Sequence, residues 1–171
     1  MRARAVVSRA LGAIAGPLLL ACSAAHAEPV QRIVSLAPNI TELLFTAGAG
    51  DRLIAAVEFS DYPAAAKALP RVGDAFRVDY ERVLELQPDL VIAWTDGTPS
   101  TIVDALRRLK QPVRELRIAD LADVASALRQ LGAWAGTSAK ADRAADEYLA
   151  KLAALRAAHA AQTPLTVFFE I

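Results

Sequence analysis

The chain is poor in side chains that catalyse or hold metals. It has two histidines and one cysteine. His26 falls in an N-terminal stretch read below as a targeting segment. His159 sits among alanines near the end of a long helical stretch, where a solvated surface residue is the simpler reading. A transition-metal site gathers several nitrogen or sulfur donors in one small sphere. Past the N-terminal stretch there is no Cys/His or multi-His cluster to supply them. There is also no G-x-S-x-G elbow and no Walker-type lysine loop. Gly48-Ala49-Gly50 is a lone G-x-G, better explained as a helix stop than as part of a dinucleotide fingerprint. Asp61, Asp74, Asp79 and Glu81 could pair as acid and base. Without a nucleophile beside a base they are first caps or surface groups. No catalytic set and no cofactor emerges.

What remains is recognition by aromatic surface. Phe59-Ser60-Asp61-Tyr62-Pro63 follows one apolar run, Ala75-Phe76 follows Arg71-Val72-Gly73-Asp74, and Trp94 closes another run before Thr95-Asp96-Gly97. Ligands of open α/β sheets bind outside the carboxyl ends of the strands. Large flat side chains there suit a large flat ligand. Each aromatic taken alone is equally well explained by local packing. Three such loops on one rim favour a ligand face.

The elements that must position these residues follow from periodicity. Arg32–Leu36, Leu53–Val57, Leu90–Trp94 and Val113–Leu116 read as strands. The run over Leu90–Trp94 is apolar on both faces, as a sheet covered on both sides requires. Helices are expected from Pro38 to Ala47, capped by Asn39 or Thr41, and from Asp61 as a short alanine-rich piece. Others run from Tyr80 to Gln87 capped by Asp79, from Thr98–Ser100 to Leu109, and from a cap at Asp120 with Leu121, Val124, Leu128 and Leu131 at helical spacing. Thr137 or Ser138 begins a last helix to about Ala161, with Ala141, Ala145, Tyr148, Leu152 and Leu155 as its stripe. The expected fold class is α/β, a Rossmann-like lobe with a parallel sheet flanked by helices. Leu165–Ile171 reads as one more strand. A helix of more than twenty residues rises roughly 30 Å, so this strand is expected to stand apart from the first sheet, as the start of a second lobe.

At 171 residues the chain can bury one ordinary core. Its 19 basic and 19 acidic residues balance, which argues against a general nucleic-acid binder. Arg2, Arg4 and Arg9, the apolar run Ala10–Ala21 and Ala25-His26-Ala27 form the three parts of a secretory signal peptide, so export to the periplasm is expected. Leu19-Leu20-Ala21-Cys22 resembles a lipobox, and lipid anchoring through Cys22 is the alternative. The expected divisions are 1–27 signal peptide, 28–136 first lobe, 137–162 linker helix and 163–171 the first strand of a further lobe.

With those residues in view, the chain resembles the cobalamin-binding proteins of the helical-backbone metal-receptor superfamily, the substrate-binding partners of ABC importers. The matching runs are Arg32-Ile33-Val34-Ser35-Leu36-Ala37-Pro38 with Thr41-Glu42-Leu43, Ser60-Asp61-Tyr62-Pro63, Val72-Gly73 with Glu81-Arg82-Val83, Gln87-Pro88-Asp89-Leu90-Val91-Ile92-Ala93-Trp94, and Ala127-Leu128-Arg129-Gln130-Leu131. The Pro-Asp-Leu-Val-Ile run is common to the superfamily; Ser-Asp-Tyr-Pro with Ile-Ala-Trp points to the cobalamin branch. The resemblance implies two lobes joined by one helix, with a corrinoid between them. It implies ligand contacts at Phe59 and Trp94, with Pro38 and Tyr62 beside them. Ala75 falls where the family can carry a tryptophan, with Phe76 as its substitute. Glu81 matches a carboxylate that docks to the importer's membrane subunits. With a single lobe, the ligand is expected to be held weakly or not at all. Binding of an iron-siderophore or haem is the near alternative. A small periplasmic hydrolase and a protein-interaction domain are the alternatives of other classes.

Overall fold

In a computed structural model, residues 30–74, 76–163 and 166–168 are described. Four strands, β1 (Ile33–Ser35), β2 (Leu53–Ala56), β3 (Leu90–Trp94) and β4 (Val113–Leu116), form one parallel sheet in the order β2-β1-β3-β4. Val34 stands opposite Val91, and Val91 opposite Val113, so the apolar residues of neighbouring strands lie in register. Between them run α1 (Pro38–Thr46), α2 (Tyr80–Glu85) and α3 (Ser100–Arg108). After β4 come α4 (Asp123–Ala135) and α5 (Ser138–His159).

The order reverses at β1. The chain steps one way from β1 to β2, then crosses back to β3 and on to β4. Crossovers of one hand must then place α1 on one face and α2 and α3 on the other. The two cores show this. Ile33, Leu90 and Ile92 meet Ile40 and Leu44 of α1 and Leu128 and Leu131 of α4. Val34, Val91 and Ala93 meet Val83 of α2 and Ile102, Val103 and Leu106 of α3. Alternate residues of each strand thus feed opposite cores, and β1 and β3 are buried on both sides.

The Pro-Asp pair before β3 has a structural use. The Asp89 carboxylate accepts the backbone N–H groups of Gln31 and Arg32, each at 2.9 Å, and so fixes the entry to β1. The Arg32 guanidinium donates to the carbonyls of Leu86 and Gln87 at the end of α2. These contacts tie the start of β1 to the connection between α2 and β3.

Several expectations need correction. Neither Asn39 nor Thr41 caps α1. Ala37 is the cap residue, Pro38 opens the helix with its preset φ, and Thr41 is buried. The segment after Asp61 is a 3-10 turn, Ala64–Ala68, rather than an α-helix. Asp120 accepts from the N–H groups of Ala122 and Asp123, which caps the turn before α4. The helix itself begins three residues later, leaving Leu121 outside it and 59% exposed. Asp79 does cap α2, accepting from Arg82 N at 3.0 Å.

The stripe of α5 is buried only in its first half. Ala141 and Ala145 pack on α4, whereas Leu155 is exposed. Arg129 of α4 reaches Asp146 at 2.6 Å and Asp142 at 3.7 Å, a clamp on the same half. Of the expected final strand, residues 166–168 are described; among the described residues they pair with no strand, and Val167 and Phe168 are exposed. The signal segment, Cys22 and Ala75 lie outside the described residues.

Candidate functional site

Strand order reverses between β1 and β3, and open α/β sheets bind ligands outside the carboxyl ends of their strands at such a point. Pro38 and Asn39 leave β1 there, and Trp94 ends β3. Beyond β1 on the other side, β2 runs into the loop that carries Phe59 and Tyr62. Phe76 reaches the same edge by another route. Glu58 N donates to Gly73 O, Gly73 bridges to Val78, and the turn between them is closed by Asp74. The Asp74 carboxylate accepts from Phe76 N at 2.7 Å and Arg77 N at 2.8 Å. The sheet thus brings Pro38, Phe59, Tyr62, Phe76 and Trp94 to one edge.

Their exposures differ. Phe59, Phe76 and Tyr62 are 79, 78 and 68% exposed, an unusual concentration of open aromatic surface for a lobe with a well-filled core. Trp94 is half-buried. Its ring lies over Gly97, where any Cβ would overlap it, and it packs against the α1-side core. Its indole N–H is buried without a partner among the described residues. The residues that make room are the loop formers after Trp94.

Buried hydroxyls hold the rim, and these the sequence reading passed over. Among the described residues the buried polar side chains are Ser35, Thr41, Ser60 and Thr98, and all four sit at carboxyl ends of strands or in the first turn beyond. Thr41 Oγ1 lies 2.9 Å from Ser35 Oγ and 3.3 Å from Ser60 Oγ. Ser35 Oγ donates to Ala37 O at 3.0 Å. Thr98 Oγ1 accepts from Trp94 N at 3.1 Å. The signal was available: small hydroxyls inside apolar runs, as in Ile33-Val34-Ser35-Leu36. Thr41→Val keeps the shape but removes the shared partner of two buried serines. Leaving such a group unsatisfied costs about 1–3 kcal/mol. The variant is expected to unfold at lower denaturant, with an unchanged slope; an unchanged midpoint would show the hydroxyls to be idle.

Glu81 is exposed in the first turn of α2, which starts from the same edge and leads down to β3. A separate groove of about 280 Å³ lies on the flank, between α1, α4 and α5, lined in part by Leu43, Val124, Leu128 and Tyr148. No group of three or more His, Cys, Asp or Glu placed to hold a metal ion occurs among the described residues.

Sheet order and crossover pattern define a class: a parallel α/β lobe with a topological switch point between β1 and β3. The periplasmic binding protein family model matches residues 33–170, and the chain belongs to that family. It is 36% identical over 155 residues to the vitamin B12-binding protein of Vibrio parahaemolyticus, which covers 91% of this chain and 56% of that protein. It is 39% identical over 159 residues to the vitamin B12-binding protein of Pectobacterium atrosepticum, covering 89% and 56%. Among solved structures it resembles the periplasmic vitamin B12 binding protein BtuF of Vibrio cholerae, with a TM-score of 0.76, 35% identity, and 80% of this chain against 54% of that one. A periplasmic heme binding protein from Pseudomonas aeruginosa is also similar, with a TM-score of 0.68 and 30% identity, over 79% and 50% of the two chains. The chain thus spans about half the length of these relatives.

Proposed function

We propose that this chain provides one wall of a cobalamin receptor, the periplasmic substrate-binding component of an ABC importer. The observation that carries the reading is the open aromatic edge at the switch point. A corrinoid is a broad, flat, largely apolar disc with a polar fringe, and stacking on rings is how such a disc is held. The named relatives support cobalamin over other chelates. Glu81, exposed at the same edge, is the proposed contact to the importer's membrane subunits. Export follows the N-terminal pattern of arginines, apolar run and Ala25-His26-Ala27.

The rim is a face rather than an enclosure, so the affinity of this lobe alone is expected to be low. Equilibrium dialysis of residues 28–171 against cyanocobalamin, haem and a ferric siderophore tests the assignment. Saturable binding of cyanocobalamin ahead of the others is the expected result. Preference for haem would overturn it. That second reading has one observation in its favour: Tyr62, exposed at the rim, is a residue type that ligates haem iron. Tyr62→Phe would abolish a haem complex and leave a corrinoid complex nearly intact.

A further inference from the structure

We infer that Arg71 is a positioning residue for the rim, holding Phe59 where a flat ligand can stack on it. This rests on the corrinoid reading for its ligand, though not for its geometry. Arg71 lies in a short segment that runs beside β2, outside the named strands. Ala56 N donates to Pro70 O and Val72 N to Ala56 O. From there the guanidinium reaches across the end of the strand. Nη1 donates to Val57 O at 3.2 Å, Nη2 to Ser60 O at 3.1 Å, and Nη2 lies 3.4 Å from Asp61 Oδ1.

These three acceptors bracket Phe59 on both sides. Phe59 has φ +65°, a region that bulky side chains avoid unless the surroundings impose it. Asp61 N turns back to Phe59 O, and the Ser60 side chain is anchored among the buried hydroxyls. Phe59 as a whole is 79% exposed, so packing of its side chain does not hold the backbone in that state. The cation does, through a planar fork that meets two carbonyls and a carboxylate at once. The Arg71 side chain is only 21% exposed and its contacts to the Val57 and Ser60 carbonyls are partly buried, whereas the Asp61 carboxylate lies in the open at 63% exposure and adds less.

Two measurements test this. In the first, ligand-free wild type and Arg71→Ala are digested with chymotrypsin under native conditions. Cleavage after Phe59 is expected to accelerate by about tenfold in the variant, as loss of charge-assisted hydrogen bonds implies. Cleavage after Trp134 and Tyr148 should keep its wild-type rate. Equal acceleration at all three sites, or none after Phe59, would overturn the inference. In the second, cyanocobalamin affinity is measured across the cycle of Arg71→Ala and Phe59→Asn. Asparagine tolerates a positive φ, so this substitution removes the ring without straining the loop. Arg71→Ala should weaken binding about tenfold in the wild-type background and less than twofold beside Phe59→Asn. Additive losses would show that Arg71 does not act through Phe59. Should wild type prefer haem to cyanocobalamin, the corrinoid reading falls, while the digestion result still decides the role of Arg71.

Discussion

Phe59→Asn combined with Trp94→Leu is expected to eliminate measurable cyanocobalamin binding while leaving the lobe folded. Covering one aromatic face contributes about 1.5–3 kcal/mol, so each single variant should lose roughly 10- to 100-fold in affinity. The choice of replacements keeps stability out of the measurement. Asparagine accepts the φ of +65° at position 59. Leucine retains apolar volume on the core side of position 94, where Trp94 packs against the α1-side cluster. Leu109→Ser serves as the control. Leu109 is 41% exposed, at the end of α3 and on the amino edge of the sheet. It should bind as wild type does. Equal losses in control and rim variants would show that the aromatics act on the fold and not on the ligand. Dialysis for binding and circular dichroism for folding read the two outcomes separately.

The second large effect concerns the joint between α4 and α5. Gly132 is buried where the two helices meet, and a Cβ there would overlap the Ala141 methyl. Two terms oppose each other in Gly132→Ala. Helix propensity favours alanine by about 0.5–1 kcal/mol. Overpacking a filled contact costs typically 1–3 kcal/mol. Both partners are fixed backbone-proximal groups with no rotamer to yield, so the steric term should win by about 1–2 kcal/mol. The midpoint of denaturant unfolding is expected to fall accordingly. Adding Ala141→Gly, which removes the opposing methyl, should recover most of the loss. A single variant as stable as wild type would mean that α5 is seated more loosely than its contacts indicate.

These effects separate what could be read from the chain and what could not. The sheet was legible because β3 carries five consecutive apolar residues and β1 a shorter run. Burial on both faces demands just that. Helix identities followed from the 3.6-residue period, and the Asp79 cap from its place before Tyr80. The cap of α1 and the start of α4 were misplaced: Pro38 at the first position of α1 leaves Ala37 as its cap in place of Asn39 or Thr41, and Asp120 caps a turn that precedes α4 and not the helix itself. The loop from Asp61 to Ala68 tightened to a 3-10 turn that alanine propensity alone does not foresee.

At the candidate site, the aromatics were visible because loop formers flank them: Ser60-Asp61 after Phe59, Pro63 after Tyr62, Gly73-Asp74 before Phe76 and Thr95-Asp96-Gly97 after Trp94. What supports them was not. The contacts of Arg71 span ten to fourteen residues and depend on a segment beside β2 that has no strand periodicity of its own. The Ser35–Thr41–Ser60 hydroxyls are brought together by the parallel register, which no local pattern encodes. Trp94 shows the same limit. Its place at the end of β3 was readable, but the seat over Gly97 that hides half the ring belongs to the folded loop.

The most direct test of the aromatic edge as ligand face is a backbone amide NMR titration of residues 28–171 with cyanocobalamin. Shifts are expected in the Phe59–Tyr62 loop, around Phe76 and over Trp94–Gly97, rising together to one saturation point. Shifts confined to the flank groove of Leu43, Val124 and Tyr148, or spread without saturation over both edges of the sheet, would contradict it.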